Sequence, residues 1–434
     1  MSRESDPPLT ARQLEILELM SKGLSNPDIA RLLGLSQNTV KTHISNLLQT
    51  LGVSNRTEAS VWFEDYRHQQ QAHIQPLPVF VADNCPPELL SCLMCFEFLS
   101  LCPSAQPPTS GFYLDCPGDS GRLMQIQQGT SSLIHSFARA EVDSSQSRQR
   151  LAAQLFDKLL GIRVRQPTAS HEDAIQTLLQ IEYRLRSREA GTLREALETL
   201  SPMLSAFPDW SLPKSFYVLV AYAAWQEGAV SQLPPAANLI NHAQQALHLA
   251  PQSAYAQLAF AAAALLMGQL PVALAHTEQA INANPMLESG LFFRAQVLAL
   301  CGLYPQALAA YEQYELLYPQ GQSTGRLLVG RAVTHFLAGQ LDEAKSHILQ
   351  AIPYRHSVQA GLCMMLVSIA EQQEDAAGLT LAREQLAQQL SDPAMLPRLM
   401  ALLQRVLPPT SFQQFRQSLL RAGVSLPEPL PEQA

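Results

Sequence analysis

Repeated spacings of 34 residues constrain this chain more than any other feature. Pro251, Pro285 and Pro319 stand 34 apart, and Gly268 with Gly302, Leu270 with Tyr304, Ala273 with Ala307 and Ala280 with Tyr314 share the offset. Each unit reads as helix, turn at the glycine, helix, proline. Glycine tolerates the left-handed turn, small alanines let two helices approach closely, and proline cannot continue the second helix. One such unit cannot bury its own apolar face, so neighbours must stack. Imperfect copies extend the phase, with Gly191, Leu193, Ala196 and Pro208 upstream and Gly339 to Ile352 downstream. The 43 residues from Pro208 to Pro251 imply an insertion around Gly228 to Pro235. Five units are recognisable, and beyond Ala360 the pattern gives way to helices expected to cap the stack.

Leu9 to Ala59 reads as four short helices, each with its own start and stop signals. Thr10 with Gln13 forms a capping box for the first. Ser25 caps the second, with Pro27 and Asp28 in its first turn. Gly34-Leu35-Ser36 is a tight turn with Ser36 as the next cap, Gly52 ends the third helix, and Asn55 with Glu58 opens the fourth. In the third helix Val40, Ile44, Leu47 and Leu51 step by 4, 3 and 4, which gives one apolar stripe. The opposite face carries Gln37, Asn38, Lys41, Thr42, Ser45 and Gln49, with no carboxylate between Gly34 and Gly52. A two-helix unit with a polar second helix is how a helix is offered to the DNA major groove. There Lys reaches guanine acceptors, and Asn or Gln pairs with adenine.

The blocks LTARQLEIL, GLSNPDIARLLGLSQNTVKTHISNLL and LGVSNRTEA, taken in order, resemble the LuxR-type helix-turn-helix of bacterial transcription regulators. The 34-residue units resemble the tetratricopeptide repeat. The first resemblance implies that Lys41, Thr42 and Ser45 lie near base edges. It puts Asn38 and Thr39 near phosphates and Asn26 at a further phosphate, and Gln37 belongs to the same face. The family's common receiver domain is not expected, since the first helix opens near residue 9. One departure matters: many members carry basic residues where this chain has Ser45, Asn46, Gln49 and Thr50. Residues 1–70 hold seven Lys or Arg against eight Asp or Glu, a net charge of −1. Phosphate neutralisation supplies most DNA affinity, so a homodimer on DNA is expected. Val61, Trp62 and Tyr66 on the fourth helix offer the surplus apolar surface for it.

Between these regions, residues 67–78 are Gln-rich and then Pro-punctuated, as a linker is. VFVA, FYLDC, GRLMQIQ and SSLIHSFARAEV read as strands, PGDSG as a turn, and SSQSRQRLAAQLFDKLLGI as an amphipathic helix. PPELLSCLMCFEFLSLC reads as one helix with Cys92, Cys95 and Cys102 on one side, facing a sheet. Five of the seven cysteines fall between 85 and 116, but there is no second CxxC and no nearby His, so core thiols are expected rather than a metal or redox site. Gly118-Asp119-Ser120-Gly121 matches a serine-protease turn, but the only upstream histidines are His43, His68 and His73, so a turn is expected.

The chain is 434 residues long, which suggests two to four domains, and its 47% hydrophobic and 15% charged content favours helices. A net charge of −8 confines any DNA contact to a small face. No apolar run reaches the roughly 18 residues of a membrane span, and the polar N-terminus carries no export signal. The expected fold class is mainly α: an N-terminal four-helix LuxR-type helix-turn-helix, a small α/β middle domain and a C-terminal tetratricopeptide-like α-solenoid. Expected boundaries are 1–68, a linker at 69–78, the α/β domain at 79–165, repeats at 170–390 and a helical cap and tail at 391–434. The expected function is that of a cytoplasmic, sequence-specific transcription regulator on double-stranded DNA, not an enzyme, with no cofactor and no metal. A protein or peptide partner is expected in the repeat groove, where Tyr255, Phe292, Arg294 and His335 are candidates. The alternative is a repeat scaffold or adaptor whose helix-turn-helix serves assembly.

Overall fold

The computed structural model describes residues 9, 11–21, 23–63, 76–165, 174–187, 192–227, 234–318, 324–354, 359–390 and 395–428. It opens with α1 (Ala11–Ser21), α2 (Asn26–Leu33), α3 (Gln37–Leu51) and α4 (56–63). Gly23, Gly34 and Gly52 sit at φ of +79°, +64° and +65°, a region that glycine enters without a Cβ penalty. Each helix end then closes on itself: Leu24 N donates to Leu19 O, Leu35 N to Ala30 O and Val53 N to Leu48 O. Ile16, Leu17, Ile29, Val40, Leu47 and Phe63 form a core separate from the rest of the molecule, with Ile44 and Leu51 packed at its edge.

The caps divide. Ser36 Oγ accepts from Thr39 N at 3.1 Å. Asn55 Oδ1 accepts from Glu58 N at 2.9 Å, and the Glu58 carboxylate reaches back to accept from Ser54 N at 2.7 Å, one residue before the cap. Ser25 behaves differently from the expectation, because its hydroxyl donates to the Asp28 carboxylate and caps no backbone N–H. Thr10 lies outside the described residues.

A five-stranded sheet follows: β1 (Leu77–Val81), α5 (Pro87–Leu93), β2 (Leu99–Pro103), β3 (Gly111–Asp115), β4 (Ser120–Gln127), β5 (Thr130–Ala138) and then α6 (Ser145–Arg165). The strand order is β2-β1-β3-β4-β5, with β1 parallel to β2 and β3, and β4 antiparallel to β3 and β5. The single helix expected over 86–102 is not there. The helix stops at Leu93, the chain turns, and Leu99–Pro103 pairs with β1 in the register Leu77↔Leu99. Phe96 and Phe98 are both buried in the turn that leads into β2. Cys92, Cys95 and Cys102 therefore lie on a helix, a turn and a strand, each half-buried. Cys85 and Cys116 are the buried thiols of the group, and Cys85 Sγ donates to Leu114 O at 3.4 Å. Gly118 and Asp119 make a turn with Gly118 at φ +59°, and Ser120 starts β4.

The rest is helical: α7 (Ala174–Ser187), α8 (Thr192–Ala206), α9 (Ser211–Glu227), α10 (Ala236–Leu249), α11 (Ala254–Leu266), α12 (Leu270–Ala283), α13 (Glu288–Leu300), α14 (Tyr304–Leu317), α15 (Thr324–Leu337), α16 (Leu341–Ala351), α17 (Gln359–Gln372), α18 (Ala376–Gln389), α19 (Met395–Val406) and α20 (Pro409–Arg421). Consecutive helices pair from α7/α8 to α17/α18. Gly268, Gly302 and Gly339 take φ of +74° to +77° at the turns inside three pairs. Pro208, Pro251 and Pro285 each follow the second helix of a pair. Gly191, Pro319 and most of the expected insertion lie outside the described residues. The α17/α18 pair lies beyond Ala360, where the sequence pattern fades, and within the 170–390 span expected for repeats. Its turn has Glu374 at φ +55° in the glycine position, and Asp375 N donates to Ala370 O as Leu303 N does to Leu298 O.

Packing ignores the boundary between sheet and repeats. One buried cluster runs from Leu77 in β1 to Leu327 in α15, and a second runs from Ala332 to Ala422. The first helices of the pairs stack, α7 on α9, α9 on α11 and α13 on α15. The sheet unit sits against that inner face. Phe98 is fully buried, its ring 5.9 Å from Phe216 of α9 and 5.6 Å from Tyr255 of α11. Glu97 accepts from Ser253 Oγ at 2.8 and 2.9 Å, and α6 reaches α14. Tyr255 and Phe292, expected to be groove candidates, are both 1% exposed and belong to the core. Arg294 pairs with Glu278 at 2.8 Å, and His335 stacks on His347 with centroids 5.2 Å apart.

Candidate nucleic-acid interface

The exposed side of α3 is built by its own helix register. Burying Val40 and Leu47 completely turns Gln37, Asn38, Lys41, Thr42, Ser45, Asn46 and Gln49 outward, and all seven are exposed. Ser36 sets where the helix begins. Its Oγ accepts from Thr39 N and also shares a 2.8 Å hydrogen bond with the Thr39 hydroxyl, which leaves Thr39 half-buried. The Thr42 hydroxyl donates to Asn38 O at 3.0 Å, one turn back. Gln37, Asn38, Lys41 and Ser45 thus extend from the first three turns, the part of a recognition helix that meets base edges.

Asn26 opens α2 half-buried, and its Oδ1 accepts from Arg56 Nη1 at 3.4 Å. Arg56 also donates to Met20 O at 3.3 Å and to Leu24 O, so it ties α4 to the turn between α1 and α2. Sequence reading assigned Arg56 no role. The available signal was a cation in the first turn of a helix, where the helix dipole disfavours it unless a specific acceptor is present.

Electrostatics sharpens the role of Lys41. Arg12 bonds Glu15 at 2.6 Å and Leu33 O at 2.9 Å, Arg31 lies 3.4 Å from Asp28, and Arg56 holds backbone carbonyls. Asp28 is held below the usual carboxylate range, chiefly by the Ser25 hydroxyl and then by Arg31. Among the described residues of this domain, Lys41 is the Lys or Arg on the open face of α3. Of the candidates for self-association, Val61 is 58% exposed, Trp62 is half-buried against the domain core, and Tyr66 lies outside the described residues.

Elsewhere, among the described residues, no three His, Cys, Asp or Glu side chains converge as a metal site. No helix among them is long and apolar enough to cross a membrane.

Comparison with known proteins follows this division. Residues 7–63 match the family of bacterial regulatory proteins, luxR family. Over 57 residues the chain is 51% identical to the CsgBAC operon transcriptional regulatory protein of Escherichia coli strain K12, covering 13% of this chain and 26% of that one. It is 45% identical over 69 residues to the nitrate/nitrite response regulator protein NarP of the same strain, covering 15% and 32%. The chain thus spans about a quarter to a third of the length of these relatives. Among solved structures, a tetratricopeptide repeat protein from Parabacteroides merdae is similar at a TM-score of 0.37 and 15% identity, covering 61% of this chain and 96% of that one. The Cut9–Hcn1 hetero-tetramer of APC/C gives a TM-score of 0.41 at 14% identity, over 65% and 55% of the two chains. Residues 7–63 are a LuxR-type helix-turn-helix domain, joined here to a tetratricopeptide-like helical solenoid.

Proposed function

We propose that this chain is a sequence-specific DNA-binding transcription regulator whose N-terminal domain acts under the control of the sheet unit and solenoid. The observation that carries the reading is the exposed, carboxylate-free face of α3, on a domain half identical to that of a named operon regulator. Lys41, Ser45 and Thr42 are assigned to base edges, and Asn38, Thr39, Gln37 and Asn26 to flanking and phosphate contacts. With one open cation on that helix, two copies on adjacent half-sites supply the affinity that one lacks. Val61, together with Trp62 and the sequence candidate Tyr66, is the proposed contact between copies. The solenoid is proposed to receive a protein partner, and the chain to work in the cytoplasm with its thiols reduced.

A second reading keeps support from one observation. Arg12 and Arg56 are held by intramolecular contacts, which suits a domain used for assembly within a repeat scaffold. Mapping the genome-wide occupancy of the tagged full chain separates the two. The regulator reading expects discrete sites, each with two half-sites about one helical turn apart. Uniform background occupancy, together with self-association that needs no DNA, favours the scaffold.

A further inference from the structure

The seam between the sheet unit and the solenoid encloses more acid than base. Arg186 of α7 is 8% exposed and lies among three carboxylates from three helices. Its Nη1 is 2.6 Å from Asp157 of α6 and 2.9 Å from Glu288 of α13, and its Nε is 3.1 Å from Glu182 of its own helix. Tyr314 of α14 donates to Glu288 at 2.7 Å, and Tyr318 to Met286 O. Tyr255 of α11 also faces the cluster. Glu97, from the turn before β2, approaches it at Ser253. Among the described residues Arg186 Nη2 is buried without a hydrogen-bond partner, while Glu182 and the Tyr255 hydroxyl, both buried, face each other.

One guanidinium cannot neutralise three ionised carboxylates; Glu182 and Glu288 are shut away from water, and Asp157 is 39% exposed at the edge of the cluster. A proton on Glu182 removes a buried charge beside the Tyr255 hydroxyl. We infer that this seam is a proton-operated clamp, which holds the sheet unit on the solenoid more firmly in mildly acidic than in neutral solution. Burial raises the Asp157 carboxyl to about 6, with Glu288 and Glu182 adding to the effect and Arg186 opposing it. Burial raises Glu182 as well. Burial also opposes the charge on Arg186, but Glu288, Glu182 and Asp157 outweigh it, so the guanidinium stays charged throughout.

The sign follows from linkage. A carboxyl raised in the closed state binds a proton there and releases it on opening. Its contribution to closure is complete below the ordinary carboxylate range and is lost as pH rises through about 6. His135 of β5, near Lys158 of α6, and the more distant His242, His276 and His347 are lowered by burial and act in the opposite direction, whereas Glu97 at the seam is raised by burial and acts in the same direction as Asp157. Comparison with a variant isolates the clamp from them.

The test is hydrogen exchange of α6 and α7 in the full chain at pH 5 and 7.5, corrected for intrinsic rates. In the wild type, protection of both helices should fall roughly three- to tenfold from pH 5 to 7.5, the lower figure allowing for solvent screening at Asp157. Asp157→Asn should flatten most of that dependence and raise protection at pH 7.5, and Glu182→Gln should move it in the same direction. Equal protection of the wild type at both pH values overturns the clamp, whatever the variants do. So does a folded Asp157→Asn chain that keeps the wild-type ratio.

Discussion

The two ends of this molecule treat charge in opposite ways. The helix-turn-helix domain shows an open polar face on α3 with Lys41 as its cation and folds on a small private core. The sheet and solenoid share one continuous core and hide Arg186, Glu182 and Glu288 inside it, with Asp157 at its edge. An exposed charge in water contributes little to stability and is free to meet a phosphate. A buried one contributes to a specific arrangement and is costly to disturb. On the proposed reading, the contrast separates a surface for binding from an interior that holds two elements together.

The largest expected effect breaks the buried side. Arg186→Met should destabilise the chain by about 3–5 kcal/mol, because it leaves three carboxylates facing one another. Urea denaturation at pH 7.5 measures it, and a loss below about 1 kcal/mol would remove the electrostatic account of the seam. Gly330→Ala comes next. A Cβ at Gly330 would stand 2.3 Å from the hydroxyl oxygen of Tyr311, a side chain that is 1% exposed and packs on Phe292. A cost of about 1–3 kcal/mol is expected from overpacking, and thermal melting of the full chain reads it.

The smallest expected effect concerns how the repeat was read. Glu374 holds a left-handed turn that glycine holds at three equivalent places. Glu374→Gly should therefore stabilise the α17/α18 pair by roughly 0.5–1 kcal/mol. A loss of stability there would mean that the glutamate side chain contributes to the turn.

Legibility tracked how local the physics was. The helix-turn-helix was readable because Gly34, Ser36, Gly52 and the Asn55–Glu58 box act within a few residues of themselves. The repeats were readable wherever proline and glycine marked the period, and the pattern faded over α17/α18 because Glu374 carries the same backbone without the same letter. The run from Pro86 to Cys102 misled because its apolar residues fit both a helix and a strand, and β1 decided the matter from outside the segment. The charge cluster joins residues 157, 182, 186 and 288, a grouping that no spacing in the sequence announces. On the candidate interface, the outward residues of α3 followed from its periodicity. The tethering of Asn26 by Arg56 across 30 residues did not.

The proposed DNA contact rests on the open face of α3, with Lys41 as its cation. Its most direct test is titration of an operator fragment with the full chain and with Lys41→Ala, at matched salt. The account predicts a loss of about 1–3 kcal/mol for the operator, a smaller loss for unrelated DNA, and an unchanged melting temperature. A folded Lys41→Ala chain that binds the operator as tightly as the wild type would contradict it.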